Sequence, residues 1–218
     1  MKKTLTAANA VVAARGFNPS VFSQLWLVEN GIASRDDVSK DFIYAPPLVQ
    51  LTTAEFTLVV FAEQIQITPK PGADSGRIVQ QKLGTIVDLL PHTPYVAAGL
   101  NFCWQLELPP EDLPRACRSL FFRENSSLFK FFDQPDARFG GYMSRDIDWA
   151  RLRLEIKPAF VSLEEPKEAL VASFNFNRET AGTNAVNEIQ EVLSRWKSAE
   201  ETVATAIESL EREWNFTM

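Results

Sequence analysis

The chain is poor in the residues on which most recognisable chemistry depends. Its 218 residues include one histidine, two cysteines and three methionines. A single histidine rules out a histidine-rich metal site. His92, held in Pro91-His92-Thr93-Pro94, has no accompanying nucleophile motif and reads as a linker residue. The cysteines, Cys103 and Cys117, form no metal-ligand spacing, and so sparse a pair in a chain this long fits structural thiols in a reducing compartment. There is no G-x-S-x-G, no phosphate-cradling Walker loop and no G-x-G-x-x-G. No cofactor is expected.

Long apolar runs and basic clusters are also missing. Nothing approaches the ~18 uninterrupted apolar residues of a membrane span. The first residues superficially resemble a secretory signal, but Thr4, Thr6 and Asn9 interrupt the supposed apolar region and no leucine-rich run follows. The expectation is a soluble, cytoplasmic protein. Net charge is −6, and the excess of acid is concentrated near the end, where seven glutamates between Asn184 and Trp214 face only Arg195, Lys197 and Arg212. A phosphate backbone attracts dense Lys/Arg surfaces, so nucleic acid is a disfavoured partner.

What is present is ordinary globular composition, 45% apolar and 23% charged, enough for a sizeable core. A strand over residues 8–17 stops at Asn18-Pro19, a cap followed by a proline suited to a first helical turn. Val21, Phe22, Leu25 and Val28 recur at helical spacing up to Asn30-Gly31, and the polar stretch 34–40 reads as loop. Short strands follow around residues 48–51, 56–60 and 65–67, then a helix from about Asp74 with Val79, Leu83, Ile86, Val87 and Leu90 on one face.

The order then begins again. Val96, Ala98, Leu100, Phe102, Trp104, Leu106 and Leu108 alternate with Ala97, Gly99, Asn101, Cys103, Gln105 and Glu107, an unmistakable strand pattern. Pro109-Pro110-Glu111-Asp112 marks a helix start whose apolar stripe is Leu113, Ala116, Cys117, Leu120 and Phe121. Strands are expected over Leu152, Leu154 and Ile156, ended by Pro158, and over Leu170, Ala172, Phe174 and Phe176. The reading is an α+β protein with a largely antiparallel, curved sheet backed by helices. It predicts internal duplication of a β-α-βββ-α unit, in residues 1–91 and again in 92–218. Two short echoes accompany the element order: residues 11–18 against 95–102, and Ile65-Gln66-Ile67-Thr68-Pro69 against Leu154-Glu155-Ile156-Lys157-Pro158. This order resembles the duplicated saddle of the TATA-binding-protein type. The resemblance covers topology alone, implies a curved sheet with helices behind it, and transfers no residue.

Three groups of residues are candidates for function. Asn101, Gln105, Ser173, Asn175 and Asn177 share the polar sides of two strands and, if those strands are neighbours, line one surface suited to a polar ligand or peptide. In the final helix Ile189, Leu193, Trp196, Val203, Ile207, Leu210 and Trp214 follow a heptad-like pattern with Glu200 in one core slot. Either this helix packs on its own sheet, or Trp196, Val203, Ile207, Leu210 and Trp214 form a seam for a second copy or another protein. Ser198 and Glu201 fit a capping box and suggest a restart there. Asp133, Asp136, Asp146 and Asp148 surround an expected hairpin and are read as turn residues rather than a cation site. Phe121, Phe122, Phe129, Phe131 and Phe132 are expected to be mostly core, with a remainder left as an assembly patch. The leading reading is a non-enzymatic binding or assembly module that forms a homodimer; a ligand- or peptide-binding domain and a metal-dependent enzyme rank behind it.

Overall fold

The computed structural model describes residues 1–45, 47–161, 167–180 and 182–216, and no side chain beyond residue 213. It is an α+β fold. Its strands are β1 (Lys2–Ala14), β2 (Phe42–Ala45), β3 (Leu48–Thr52), β4 (Phe56–Val60), β5 (Gln64–Pro69), β6 (Tyr95–Glu107), β7 (Gly141–Ile147), β8 (Ala150–Phe160) and β9 (Glu168–Glu179). All nine join one antiparallel sheet in the order β2-β3-β4-β5-β1-β6-β9-β8-β7. The helices are α1 (Gln24–Glu29), α2 (Arg35–Lys40), α3 (Ser75–Ile78), α4 (Gly84–Leu89), α5 (Leu113–Phe121), α6 (Ser127–Phe131), α7 (Ala185–Ser194) and α8 (Trp196–Phe216). A π turn, Val79–Leu83, runs α3 into α4.

The two long strands β1 and β6 lie side by side at the centre, Asn9 opposite Asn101 and Val11 opposite Gly99. Residues 2–7, which looked like part of a targeting segment, belong to β1. The strand therefore starts six residues before its expected position and ends at Ala14. Because side chains alternate between the faces of a strand, the register sorts them into two sets. One row runs Phe42, Leu51, Leu58, Ile67, Ala10, Leu100, Phe176, Leu152, and all of its central members are buried. The helices pack on this face, α7 and α8 on β6, α5 on β9, α2 on β3.

The core is closed by contacts that cross from one half of the chain to the other. Trp196 is fully buried, its ring 4.9 Å from that of Phe102, and its indole N–H donates to the hydroxyl of Ser75 at 2.9 Å. That hydroxyl donates to Glu200 at 3.0 Å, which explains how a carboxylate sits in a core slot of the final helix. Beside it Gln190 donates to the Gly84 carbonyl and to Asp88, both at 2.8 Å. A Cβ on Gly84 would lie 2.8 Å from Oε1 of Gln190, so a side chain there would displace the Gln190 amide from these bonds.

Several expectations are corrected by local physics. Residues 35–40 are a helix because Ser34 and Asp37 form a reciprocal capping box, Ser34 accepting from the Asp37 N–H and Asp37 from the Ser34 N–H. The first half contains four strands after its helices, not three, since Phe42–Ala45 adds β2 at the edge. Pro158 lies within β8 instead of ending it. Val161 directs its N–H to Lys167 on the β9 side, so by alternation the proline nitrogen faces the other side, where β7 has already ended at Gly141. The final helix breaks at Arg195, ahead of Ser198, whose carbonyl accepts from Thr202 within an unbroken α8. The echo of residues 65–69 in 154–158 joins non-equivalent strands, since β5 adjoins the central pair whereas β8 is separated from it by β9.

Trp196→Ala should cost about 3–5 kcal/mol, the range for deleting a large buried aromatic side chain. Urea denaturation monitored by circular dichroism measures the loss. Burial of the Tyr95 phenol, whose hydroxyl donates to the Val87 carbonyl at 3.3 Å, pushes its pKa up to about 12. A raised pKa stabilises the fold fully below the unfolded value of ~10 and progressively less as pH climbs through the folded value. Wild type should therefore lose stability relative to Tyr95→Phe between about pH 10 and 12, and parallel denaturation curves at both ends of that window check it.

Candidate functional site

Among the described residues no helix packs on the second face of the sheet. Its central row is Asn9, Asn101, Asn175, Arg153 and Ser144, each directly opposite the next across β1, β6, β9, β8 and β7. Two further rows flank it: Val11, Gly99, Asn177, Arg151 and Asp146 on one side, Ala7, Cys103, Ser173, Glu155 and Tyr142 on the other.

The amides of the central row form one hydrogen-bonded strip. Asn175 donates to Asn101 at 2.7 Å, and Asn101 donates to Asn9 at 2.9 Å. Cys103 and Ser173 meet at 3.9 Å. Gly99 carries no side chain, and a Cβ there would lie 3.6 Å from Nδ2 of Asn175 and 3.7 Å from Oδ1 of Asn177, so these two amides lean over the bare backbone. Gln105 donates to Glu107 at 3.3 Å; that carboxylate also receives Lys167 and Lys2. The Lys167 ammonium, first of these influences, holds the Glu107 carboxyl below its usual range.

The five residues singled out from the sequence are thus brought onto one face, with Asn101 opposite Asn175, Ser173 opposite Cys103 and Asn177 opposite Gly99. Gln105 lies further along, opposite Val171. Sequence reasoning missed Asn9, whose place between Ala8 and Ala10 in an alternating segment was the available signal, and missed Arg153, the charged residue next in the row. Charge on this face is nearly balanced: Arg151 pairs with Asp146 at 2.9 Å and Lys157 with Glu155 at 3.0 Å. Arg153 has no ion-pair partner among the described residues. Amides supply donors and acceptors at once, so the strip is chemically matched to peptide groups or polar ligands. It holds no nucleophile paired with a base.

The other candidates are dispersed. His92 is exposed in the turn before β6. Cys117 is buried, and desolvation pushes its thiol up. Asp133 pairs with Arg118, which holds its carboxyl low, whereas Asp148 sits in the β7–β8 turn. No group of three or more metal-ligating side chains comes together among the described residues. Within the final helix, Trp196, Val203 and Ile207 are fully used inside the protomer, at 0%, 1% and 2% exposed. Leu210 remains half-buried, and the Trp214 side chain lies outside the described residues.

A second surface borders the opposite face. Phe121, Phe129, Met143, Leu154, Ala206 and Leu210 enclose a trough of about 480 Å³ between α8 and the β7–β8 hairpin, and a cavity of about 450 Å³ adjoins it through Leu154 and Ala206. Of the phenylalanine cluster, Phe122 meets Phe139 edge-on at 5.1 Å and Phe129 stacks on it at 5.8 Å, while Phe131 is 79% exposed and Phe132 is also exposed. The expected core is thus only partly a core. No protein-family model and no curated protein matches this chain. Among the described residues no helix is long and apolar enough to cross a membrane.

Asn101→Ala should remove both bonds of the amide strip. The site is half-exposed and water can replace the lost partners, so the expected cost is about 0.5–1.5 kcal/mol, below that of a buried amide. Denaturation of Asn101→Ala and Asn175→Ala, singly and together, should reveal coupling between them because they share a bond.

Proposed function

We propose that the chain is a non-enzymatic, cytoplasmic binding and assembly module that self-associates as a homodimer through the free edge of β7. One observation carries this reading: β7 offers a regular edge with no further strand beside it among the described residues, next to an apolar trough. An edge strand exposes unpaired N–H and C=O groups, which proteins blunt with short strands, prolines, bulges, charged side chains or cover; of these β7 has only the charges of Arg145 and Asp146. At the other end of the sheet β2 is only four residues long. By contrast β7 has seven residues, contains no proline and pairs with β8 without a register shift.

Self-pairing suits this edge. With β7 paired antiparallel to its copy about Ser144, Tyr142 meets Asp146 and Met143 meets Arg145, and no like charges are opposed. Tyr142 and Met143 are 66% and 48% exposed. A closed two-fold contact would remove the edge and cover part of the trough. The free, unpaired thiols Cys103 and Cys117 fit the reducing compartment.

An internal duplication is part of the same proposal. Outward from the centre, β1, β5, β4, β3 on one side correspond in order to β6, β9, β8, β7 on the other, with helices after β1 and β5 in one set and after β6 and β9 in the other. On this reading β2 is the added strand: it covers β3, whose counterpart β7 has no further strand beside it among the described residues.

The amide strip supports a second role, recognition of an extended peptide or polar ligand on the bare face. Its residues are unoccupied by helices while lying at the centre of the largest element of the fold.

Light scattering should report a dimer at high micromolar concentration. Tyr142→Lys combined with Met143→Lys, both at exposed positions, should yield a folded monomer with little change in melting temperature. A monomeric wild type would refute the assembly reading.

A further inference from the structure

We infer that a polar pocket at the start of α7 is a binding site for a phosphoryl group carried by a small molecule. The pocket, about 330 Å³, lies where the chain crosses between the two halves. Its walls include Arg15 just after β1, Thr93 in the turn before β6, Thr180 at the end of β9, and Thr183, Ala185 and Val186 leading into α7. Backbone bonds fix these segments: Arg15 donates to the Pro94 carbonyl at 3.0 Å, and Thr180 to the Val96 carbonyl at 2.9 Å.

Three independent features give the pocket anion chemistry. First, α7 is ten residues long and its cap residue, Asn184, makes no side-chain bond to the helix backbone; its Oδ1 instead accepts from Asn187 at 2.8 Å. The first-turn N–H groups and the positive end of the helix dipole are left without that acceptor. Second, Thr180 is only 7% exposed and its hydroxyl has no hydrogen-bond partner. Buried hydroxyls are almost always satisfied, so the orphan hydroxyl of a residue in the pocket wall points to a missing acceptor. Third, Arg15 is exposed at the rim and has no ion pair among the described residues. The acid in the first turns of α7, Glu188, is turned onto Arg178 at 3.7 Å.

The ligand class follows from size and donors. Arginine, hydroxyls and helix N–H groups are the donor set used for phosphate. The volume stands at the lower end of the ~300–1,000 Å³ of small-molecule sites, which leaves room for an organic group beyond the phosphoryl oxygens. Gly182, at φ 73°, takes the left-handed turn that carries the chain from β9 toward the helix.

The test is thermal-shift titration and calorimetry of the intact chain with inorganic phosphate and with glycerol phosphate, against sodium chloride at matched ionic strength. Both phosphates should give saturable stabilisation, the monoester the tighter of the two. Arg15→Gln and Thr183→Ala, both at exposed positions, should each weaken binding by about tenfold. Thr180→Val, nearly isosteric, should weaken it while leaving the anion-free protein as stable or more so, because it removes an unsatisfied hydroxyl. Absence of saturable binding, an equal response to chloride, or unchanged affinity in Arg15→Gln and Thr183→Ala would each overturn the assignment.

Discussion

The structure depends on the antiparallel pairing of β1 with β6. These two thirteen-residue strands are far apart in sequence, and closing the chain between them costs entropy that local structure does not repay. Twelve opposed residue pairs, from Lys2 with Glu107 to Ala14 with Tyr95, meet that cost. The pairing unites the two strand sets into one sheet and sets its register. A slip of β6 by one residue would turn Leu100 and Phe102 outward and bring Asn101 into the core. The separation of an apolar, helix-covered face from a bare amide face therefore rests on a single register.

The helices reinforce that arrangement because they do not stay with their own strands. Trp196 and Glu200 of α8 meet Ser75 at the start of α3, and Gln190 of α7 meets Gly84 and Asp88 of α4. Each contact joins residues more than a hundred positions apart, over the central strands. A polar group is tolerated in each because every donor and acceptor named has a partner; unpaired, each buried one would cost about 1–3 kcal/mol. These links make the helical layer a clasp across the β1–β6 seam.

Strand alternation was the legible part of the sequence. The run around Phe102 and the clusters near residues 58 and 174 announced their strands, and with them the side of the sheet on which Asn101, Ser173, Asn175 and Asn177 would lie. Their adjacency was not legible, because alternation reports faces and says nothing of neighbours; that β9 sits beside β6 is a long-range fact. Asn9 escaped for the same reason, lying in a strand whose partner is distant. Helix α2 was hidden by its polarity, since only Val38 is buried and the capping box does the nucleating. Pro158 misled because a proline ends a strand only where its missing N–H would have faced a neighbour. The pocket at α7 draws on the ends of four segments, a combination no window of sequence contains.

The two ends of the sheet answer the same physical problem in different ways. At one end β2 is short and preceded by α2, whose capped helix packs beside it. At the other, β8 outruns β7, and the trough between α8 and the hairpin leaves Met143 and Leu154 with only partial cover. Completing that cover with more chain would need a further strand or helix between α5 and β7, a stretch occupied instead by α6 and a turn-rich segment. On the proposed reading a partner strand completes this regular edge. The asymmetry between β2 and β7 is thus the physical ground on which the proposal places assembly at one end of the sheet, away from the amide face and the α7 pocket proposed for ligands.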